Sequence, residues 1–220
     1  VFKVPPERIH LSAPDVGGGF GMKNFLYPEW VLLLWAARKL GRPVRWIADR
    51  AEEFVSGAQG RDIAATAKLA LDATGRILAL DVAMVANLGA YLSGNGPGAS
   101  AVAASTAQGG VYDIPAIAVD VRGAFTNTVP VDAYRGAGKP EANYIVERAI
   151  EAAARVLARD PADLRRQNLI ASFPHRTAMG MAIDSGGFVA NLDAAVVRAD
   201  MEGFAARRAA CAMSEQAARR

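Results

Sequence analysis

Nine residues near the start of the chain, Asp15 to Lys23, combine the residue types best suited to binding an anion or a cofactor. Their sequence is Asp-Val-Gly-Gly-Gly-Phe-Gly-Met-Lys. Glycine loses the most backbone freedom on ordering, so this run predicts a loop that turns through left-handed conformations or approaches another group closely. Such a loop can present backbone N–H groups, the Phe20 ring and the Lys23 ammonium to a ligand. The alternative is a tight turn that packs against another backbone.

Nucleotide binding is a natural first interpretation of this loop, but the spacing excludes its two common forms. A dinucleotide fingerprint needs glycines in the pattern G-x-G-x-x-G, and counting from Gly17 or Gly19 puts Met22 or Asn24 in the last position. A later Gly138-Lys139 pair would need its first P-loop glycine at Ala133, and proline follows the lysine. Neither form fits.

A second glycine-rich stretch, Asp132 to Glu141, carries an arginine ahead of a predicted helix. Arg135 follows Tyr134 and precedes Gly136. Because a guanidinium is always charged and offers several donors in a rigid fork, it suits a phosphorylated or oxo-rich ligand. The alternative is a structural arginine that donates to loop carbonyls.

Together the two loops resemble the paired signatures of the molybdenum hydroxylases, the xanthine dehydrogenase family. This family includes the large subunit of aerobic carbon monoxide dehydrogenase. Two further stretches match in the same order, Asp160 to Ile170 and Ile183 to Phe188, so the resemblance covers nearly the whole chain.

The resemblance implies a role for particular residues of both loops. The molybdopterin cofactor would be contacted by Gly18, Gly19, Phe20, Gly21, Arg135 and Gly136. The substrate pocket would be lined by Asn24, Tyr134 and Ala137. No protein side chain would bind the metal directly. The family's general base is a glutamate in a Gly-Glu context near the C-terminus; no such motif occurs in these 220 residues, so the catalytic residue is expected beyond residue 220.

Departures from the family pattern narrow the expected substrate. Carbon monoxide dehydrogenases carry a copper-binding cysteine where this chain has Gly136, so copper-dependent oxidation of carbon monoxide is not expected. Purine-oxidising members have a glutamate at the position of Asn24 and an aromatic residue at that of Ala137. The sequence therefore favours another substrate, an aldehyde or an N-heterocycle. Lys139 stands where an arginine is typical.

The same resemblance implies the cofactors and partners. The cofactor would be molybdenum-molybdopterin, in the cytosine dinucleotide form in a bacterium, and two electrons would pass to a 2Fe-2S cluster and FAD. Because Cys211 is the single cysteine, this chain cannot supply four thiolates to a cluster. An iron–sulfur small subunit and an FAD medium subunit are therefore expected. Two alternatives remain: an inactive or truncated paralogue that serves as an assembly module, and a glycine-loop nucleotide binder.

Composition sets the broad class. With 52% hydrophobic and 21% charged residues, the chain is expected to fold around a core. A net charge of +3 from scattered basic residues does not favour nucleic-acid binding. The longest apolar run, Trp30 to Ala37, is too short to span a membrane, and a cytoplasmic location is expected. The first residue is not methionine and the last stretch is an Ala/Arg-rich helical segment, which indicates a fragment of a longer polypeptide.

Periodicity and turn signals predict an α+β fold with a mixed or antiparallel sheet and packed helices. Strands are predicted at 8–12, 44–48, 61–72, 76–91 and 116–127, and helices at 27–40, 50–54, 99–106, 141–157, 160–168 and from 192 to the end. Apolar residues at helical spacing in the first long helix, among them Trp30, Leu34 and Trp35, are predicted to lie in the core. A first molybdopterin-binding subdomain is expected at 1–172, and a linker with the start of a second at 173–220.

Overall fold

The computed structural model describes residues 3–218 and has a three-stranded mixed sheet at its centre. The strands are β1 (Ile63–Leu71), β2 (Ile77–Gly89) and β3 (Ile117–Phe125), in that order across the sheet. β1 pairs antiparallel with β2, and β3 pairs parallel with β2. The predicted α+β fold with a mixed sheet is therefore confirmed.

The β1–β2 turn forms as its residues predict. Asp72 accepts hydrogen bonds at one carboxylate oxygen from the backbone N–H groups of Thr74 and Arg76, at 2.8 and 3.0 Å. The Thr74 hydroxyl donates to the same oxygen, and these bonds lower the pKa of Asp72. Gly75 takes the left-handed conformation with φ of 86°. The turn therefore fixes the register of the hairpin.

Seven helices accompany the sheet within the described residues. Their bounds are α1 (Pro28–Leu40), α2 (Arg50–Ser56), α3 (Ala104–Thr106), α4 (Lys139–Val156), α5 (Pro161–Asn168), α6 (Phe188–Arg198) and α7 (Phe204–Ala218). A π-helical turn, Gly98–Ala103, leads into α3, and single 3-10 turns lie at Pro6–Arg8 and Met22–Asn24. A two-stranded hairpin pairs β4 (His175–Arg176) with β5 (Ala182–Ile183). No helix between residues 3 and 218 combines the length and apolarity needed to cross a bilayer.

The hydrophobic core lies between the sheet and α4. It is formed by alternating residues of β2, one face of α4 and parts of α5 and the 104–114 segment: Ile77, Leu80, Val82, Met84, Ala104, Tyr112, Ile114, Ile145, Val146, Ile150, Ala154 and Leu164. The period of two in β2 and of three to four in α4 explains why these positions face each other. Asp160 caps α5 by accepting from the N–H groups of Ala162 and Asp163.

Three local predictions were wrong. Residues 8–12 and 44–48 contain no strand, because neither segment finds a pairing partner among the described residues. Helix α1 forms within one residue of its predicted bounds, but Trp30 and Trp35 are about half exposed and the helix has no buried residue. No other described element covers this face, so the apolar spacing correctly predicted a helix and wrongly placed it in the core.

The C-terminal helical prediction holds for most of its length. Helix α6 is joined to α5 by an ion pair between Arg166 and Asp193 at 2.8 Å, and Phe188 packs against Phe173 at 5.8 Å between ring centroids. A break at 199–203 then separates α6 from α7. Residues 219–220, included in the predicted helix, lie outside the described residues.

Asn168 ties the end of α5 to the start of β2 and generates the first prediction. Its side-chain oxygen accepts from the N–H of Ile77 at 2.8 Å, and its amide donates to the carbonyls of Gly75 and Leu164. Because the residue is 2% exposed, Asn168→Ala leaves buried polar groups without partners. We expect a loss of about 2–4 kcal/mol in the free energy of unfolding, measured by urea denaturation. Gln167→Ala, which removes one exposed bond, is the control; an equal loss in both variants would contradict the prediction.

Tyr112 generates a pH prediction. Its hydroxyl donates to Glu147 at 2.6 Å, and Arg165 donates to the other oxygen of that carboxylate at 2.8 Å. Burial, and then the hydrogen bond to Glu147, raise the pKa of Tyr112 well above its usual value of 10.0. The folded-state pKa exceeds the unfolded one, so the stability that this group contributes is complete below about pH 10 and is lost as pH rises through the folded-state value.

The test compares the wild type with Tyr112→Phe between pH 7 and pH 12. We expect the variant to be less stable at pH 7, and the difference in unfolding free energy to shrink above pH 10 by up to about 1.4 kcal/mol per pH unit. A difference that stays constant across this range would show that ionisation of Tyr112 is not linked to folding.

Candidate functional site

The glycine loop closes on itself through its two functional side chains. The Lys23 ammonium donates to the Gly18 carbonyl at 2.9 Å and lies 5.6 Å from the centre of the Phe20 ring. That ring lies over Gly18, where an added Cβ would come within 2.9 Å of it. Gly18 and Gly21 have left-handed φ values of 124° and 95°, and Phe20 itself has φ of 51°. The expected strand before the loop is absent, and a 3-10 turn followed by irregular backbone leads into it instead.

The second loop also turns through left-handed backbone. Gly136, Ala137 and Gly138 follow one another with positive φ values of 95°, 37° and 82°. The N–H of Ala137 donates to the Tyr134 carbonyl at 2.7 Å, which closes the turn. Gly138 then begins α4 without a side-chain cap, and a Cβ there would lie 2.5 Å from backbone atoms of the 99–104 segment. Only glycine allows α4 to start this close to that segment.

The two loops are in direct contact. The N–H of Arg135 donates to the carbonyl of Phe20 at 3.0 Å. A Cβ on Gly21 would lie 2.5 Å from the carbonyl oxygen of Ala133, so the backbones touch at this point. The structure therefore brings Phe20, Gly21 and Arg135 together, as the sequence analysis expected of one site.

Hydrogen bonds of buried polar residues anchor the start of the second loop. Asp132 is 3% exposed and accepts from the Ser93 hydroxyl, from the N–H of Asn95 at 2.9 Å and from the N–H of Ala133. Asn87, at the end of β2, donates to Asp62 at 2.7 Å and to Thr128 at 3.0 Å. These bonds fix the chain between β3 and the loop.

The residues expected at a cofactor have the chemistry to bind one. Within residues 3–218, no partner is found for the backbone N–H groups of residues 17–21. Gly17 and Gly19 have nothing within 4 Å of an added Cβ and no left-handed φ, so their lack of a side chain is not explained by packing within this chain. Free backbone donors and space for close approach are what a phosphorylated or oxo-rich group needs. The exposed Arg135 side chain adds a fixed positive charge.

A cleft of about 790 Å³ lies beside the contact between the loops. Its lining includes Met22 and Tyr134 from the two loops, together with Phe54 and Arg61. Among the residues expected in a substrate pocket, Tyr134 lines this cleft. Asn24 is exposed at the end of the 3-10 turn, where its N–H donates to the Gly21 carbonyl at 3.0 Å, and Ala137 is half-buried in the second loop.

Tyr27 braces the glycine loop from behind. Its hydroxyl donates to the Met22 carbonyl at 2.8 Å and accepts from the N–H of Ala58 at 3.3 Å. Burial raises the pKa of Tyr27, although the hydrogen bond from Ala58 opposes this rise. The hydroxyl therefore stays protonated and keeps its donor role near neutral pH.

Three residues that hold the loops have no role assigned from the sequence: Arg61 and Tyr27, which contact the loops, and Asp132, which begins the second one. Arg61 donates to the Arg135 carbonyl and lies 5.0 Å from the centre of the Tyr134 ring. Arg61 lies far from the second loop in the sequence, so no local pattern predicts this contact. Asp132 belongs to the signature stretch itself, and its place between an apolar strand and the loop was the available hint. No cluster of three or more His, Cys, Asp or Glu residues suited to a metal occurs within residues 3–218.

Comparison with known proteins identifies the family. A family model described as the molybdopterin cofactor-binding domain matches residues 1–169. The carbon monoxide dehydrogenase large chain of Hydrogenophaga pseudoflava is 35% identical over 211 residues, which are 94% of this chain and 26% of that protein. The nicotine 6-hydroxylase large subunit of Paenarthrobacter nicotinovorans is 33% identical over 206 residues, which are 92% of this chain and 25% of that one.

A solved structure agrees in fold and in extent. Quinoline 2-oxidoreductase from Pseudomonas putida 86 superposes with a TM-score of 0.85 and 34% identity over 90% of this chain and 26% of that one. The chain thus spans about a quarter of the length of these relatives. The resemblance carried by the two glycine-rich loops is confirmed, and the chain belongs to the molybdopterin cofactor-binding domain family of the molybdenum hydroxylases.

Proposed function

We propose that this chain forms the part of a molybdenum hydroxylase that holds the molybdopterin cofactor beside the substrate. The observation that carries the proposal is the contact of the two loops through Arg135 and Phe20. Beside it lie backbone N–H groups of residues 17–21 that have no partner within the described range 3–218. When bound, the cofactor supplies two-electron oxidation of a substrate carbon, with water as the source of oxygen. The chain's own residues bind and orient that group.

Each proposed cofactor residue has a separate task. The backbone N–H groups of Gly18, Gly19 and Gly21 would donate to oxygen atoms of the cofactor, and the Arg135 guanidinium would balance its negative charge. Gly136 allows the backbone after Arg135 to turn with φ of 95°. The partly exposed Phe20 ring would exclude water from the metal. In a bacterium we propose the cytosine dinucleotide form of the cofactor.

For the substrate we propose an aldehyde or an N-heterocycle. Nicotine 6-hydroxylase and quinoline 2-oxidoreductase, by their names, act on N-heterocycles, and an aldehyde oxidoreductase from Desulfovibrio desulfuricans is also similar, at 25% identity. Asn24 and Ala137 replace the groups expected for purine oxidation, and Tyr134 presents an aromatic ring to the cleft. The catalytic base is proposed to lie outside these 220 residues.

Electrons would leave through partner chains. We propose an iron–sulfur small subunit and an FAD medium subunit, because several relatives are named as large subunits or large chains. A cytoplasmic location is proposed on the same resemblance, with neither nucleic acid nor membrane as a partner. We also propose that residues 1–172 form a first subdomain and 173–220 the start of a second, in support of which the family match ends at residue 169.

Arg135 gives the first test, made on the full-length protein purified with its partners from a host that makes the cofactor. The wild type is expected to contain molybdenum and iron. Removing a charge-assisted bond weakens binding by about tenfold or more, so Arg135→Ala should contain clearly less molybdenum. Arg148→Ala, which removes an exposed arginine from α4, is the matched control.

Two outcomes would contradict these proposals in different ways. Full molybdenum content in Arg135→Ala would exclude the role of this side chain in binding. A wild type without molybdenum would exclude the proposed function and favour an inactive paralogue that serves as an assembly module.

Phe20 gives the second test. Because Phe20 is 44% exposed, Phe20→Ala should reduce the free energy of unfolding by no more than about 1 kcal/mol. We expect the turnover number per bound molybdenum to fall at least about tenfold, since loss of the ring admits water and loosens the loop. Turnover is measured with aldehydes and N-heterocycles and an artificial dye as electron acceptor. Phe125→Ala, at an exposed position of β3, is the control; an equal loss of turnover there would contradict a specific role for Phe20.

A further inference from the structure

The Arg61 side chain contacts three parts of the second loop and its flanking helix. One guanidinium nitrogen donates to the Arg135 carbonyl, and the other terminal nitrogen lies 3.5 Å from a carboxylate oxygen of Glu141. The guanidinium also lies 5.0 Å from the centre of the Tyr134 ring. Arg61 thus joins the residues before β1 to both the loop and the first turn of α4.

The backbone before Arg61 already runs along the second loop. The N–H of Gln59 donates to the Pro130 carbonyl at 2.9 Å, and the N–H of Asp132 donates to the Gln59 carbonyl at 2.8 Å. A Cβ on Gly60 would lie 2.7 Å from the Cβ of Tyr134, so this close approach requires glycine. The segment therefore lies against the loop before the Arg61 side chain adds its contacts.

The backbone conformation of Arg61 is unfavourable and is held by its surroundings. Its φ of 63° lies in the left-handed region, which is unfavourable for a residue with a Cβ and persists where the surroundings hold it. Arg61 lies two residues before β1, and its guanidinium lies between two acceptors, the Arg135 carbonyl and the Glu141 carboxylate. Glu141 is only 13% exposed in its side chain, so water screens this pair less than an ordinary surface pair.

The chemistry of the contact needs an arginine. A guanidinium can donate to a carbonyl and a carboxylate at the same time through nitrogens in a rigid plane, and its flat face can stack on an aromatic ring. A lysine ammonium is a single compact charge at the end of a flexible chain. It could keep one of these contacts but not all three.

We propose that Arg61 is a positioning residue for the second loop. It fixes the Arg135 carbonyl and the Tyr134 ring against the first turn of α4, so that the Arg135 side chain faces the cofactor and the Tyr134 ring keeps its place in the wall of the cleft. The consequence for cofactor and substrate rests on the proposed function; the ordering of the loop does not.

Hydrogen exchange of the full-length protein with its partners separates these two levels. The amides of Arg135 and Ala137 report on the loop, since each donates within the site, to Phe20 and Tyr134. We expect Arg61→Met to speed their exchange at least about tenfold, with Arg61→Lys intermediate and Glu141→Gln smaller. Arg76→Met, which removes a surface pair with Asp113 at 2.9 Å, is the control and should leave both amides unchanged.

Molybdenum content and kinetics follow from the same variants. Molybdenum per chain should fall in the order wild type, Arg61→Lys, Arg61→Met. The KM for an aldehyde or N-heterocycle should rise in Arg61→Lys by about threefold or more, while the melting temperature of this variant stays close to that of the wild type. A merely structural ion pair would not produce this combination.

The outcomes are decisive even where one variant fails. Unchanged exchange at Arg135 and Ala137 in Arg61→Met overturns the proposal, as does faster exchange that extends equally through β2 and β3, because it would show a general loss of stability. If Arg61→Met does not fold, the same criteria apply to Arg61→Lys and Glu141→Gln. A wild type without molybdenum would exclude the proposed function, and the exchange data would still decide the role of Arg61.

Discussion

The structure of the site depends on one close backbone contact between two loops that are far apart in the sequence. The Arg135 N–H reaches the Phe20 carbonyl because Gly21, the next residue, lacks a Cβ. A Cβ at Gly21 would lie 2.5 Å from the Ala133 carbonyl oxygen and would push the two loops apart. Positive φ values cluster on both sides of the contact, at Gly18, Phe20, Gly21, Gly136 and Ala137. Glycine adopts such values without strain, whereas at Phe20 and Ala137 they persist because the surrounding structure fixes them. This placement supports the proposed binding site.

The fold keeps this contact in place from outside the main core. The apolar residues of β2 and α4 pack together in the main hydrophobic core, where burial of apolar surface favours folding. The second loop follows β3 and is anchored by polar groups, with the buried Asp132 below it and Asn87 holding the chain that approaches it. Because hydrogen bonds are directional and apolar packing is not, the polar anchors set the position of the loop more finely than the core could.

Local chemistry made much of this fold predictable. The Asp72–Gly75 turn, the Asp160 cap and the end of α1 at Gly41 each follow from a few neighbouring residues, and all three form as expected. The glycine run of the first loop likewise predicted left-handed backbone, which forms at Gly18 and Gly21. Contacts between distant segments are not visible in the sequence, as with the hydrogen bond from Arg61 to the Arg135 carbonyl. Likewise, a short run such as 44–48 predicts a strand without showing whether another strand exists to pair with it. The predicted burial of the apolar face of α1 was wrong for the same reason, since periodicity shows which residues share a face and not what covers them.

The geometry of the second loop also bears on the proposed absence of copper from this site. Carbon monoxide dehydrogenases carry a copper-binding cysteine at the position of Gly136. Here that residue has φ of 95°, and an added Cβ would lie 2.8 Å from the ring of Pro140. A side chain at this position would be strained by the backbone and blocked by the ring, so the loop is shaped for glycine and not merely missing a thiol. The turn that begins α4 at this point, with Gly138 against the 99–104 segment, would have to move to admit one. The loop geometry therefore supports our proposal of a site without copper, and under that proposal the cleft bordered by Tyr134 would select the substrate.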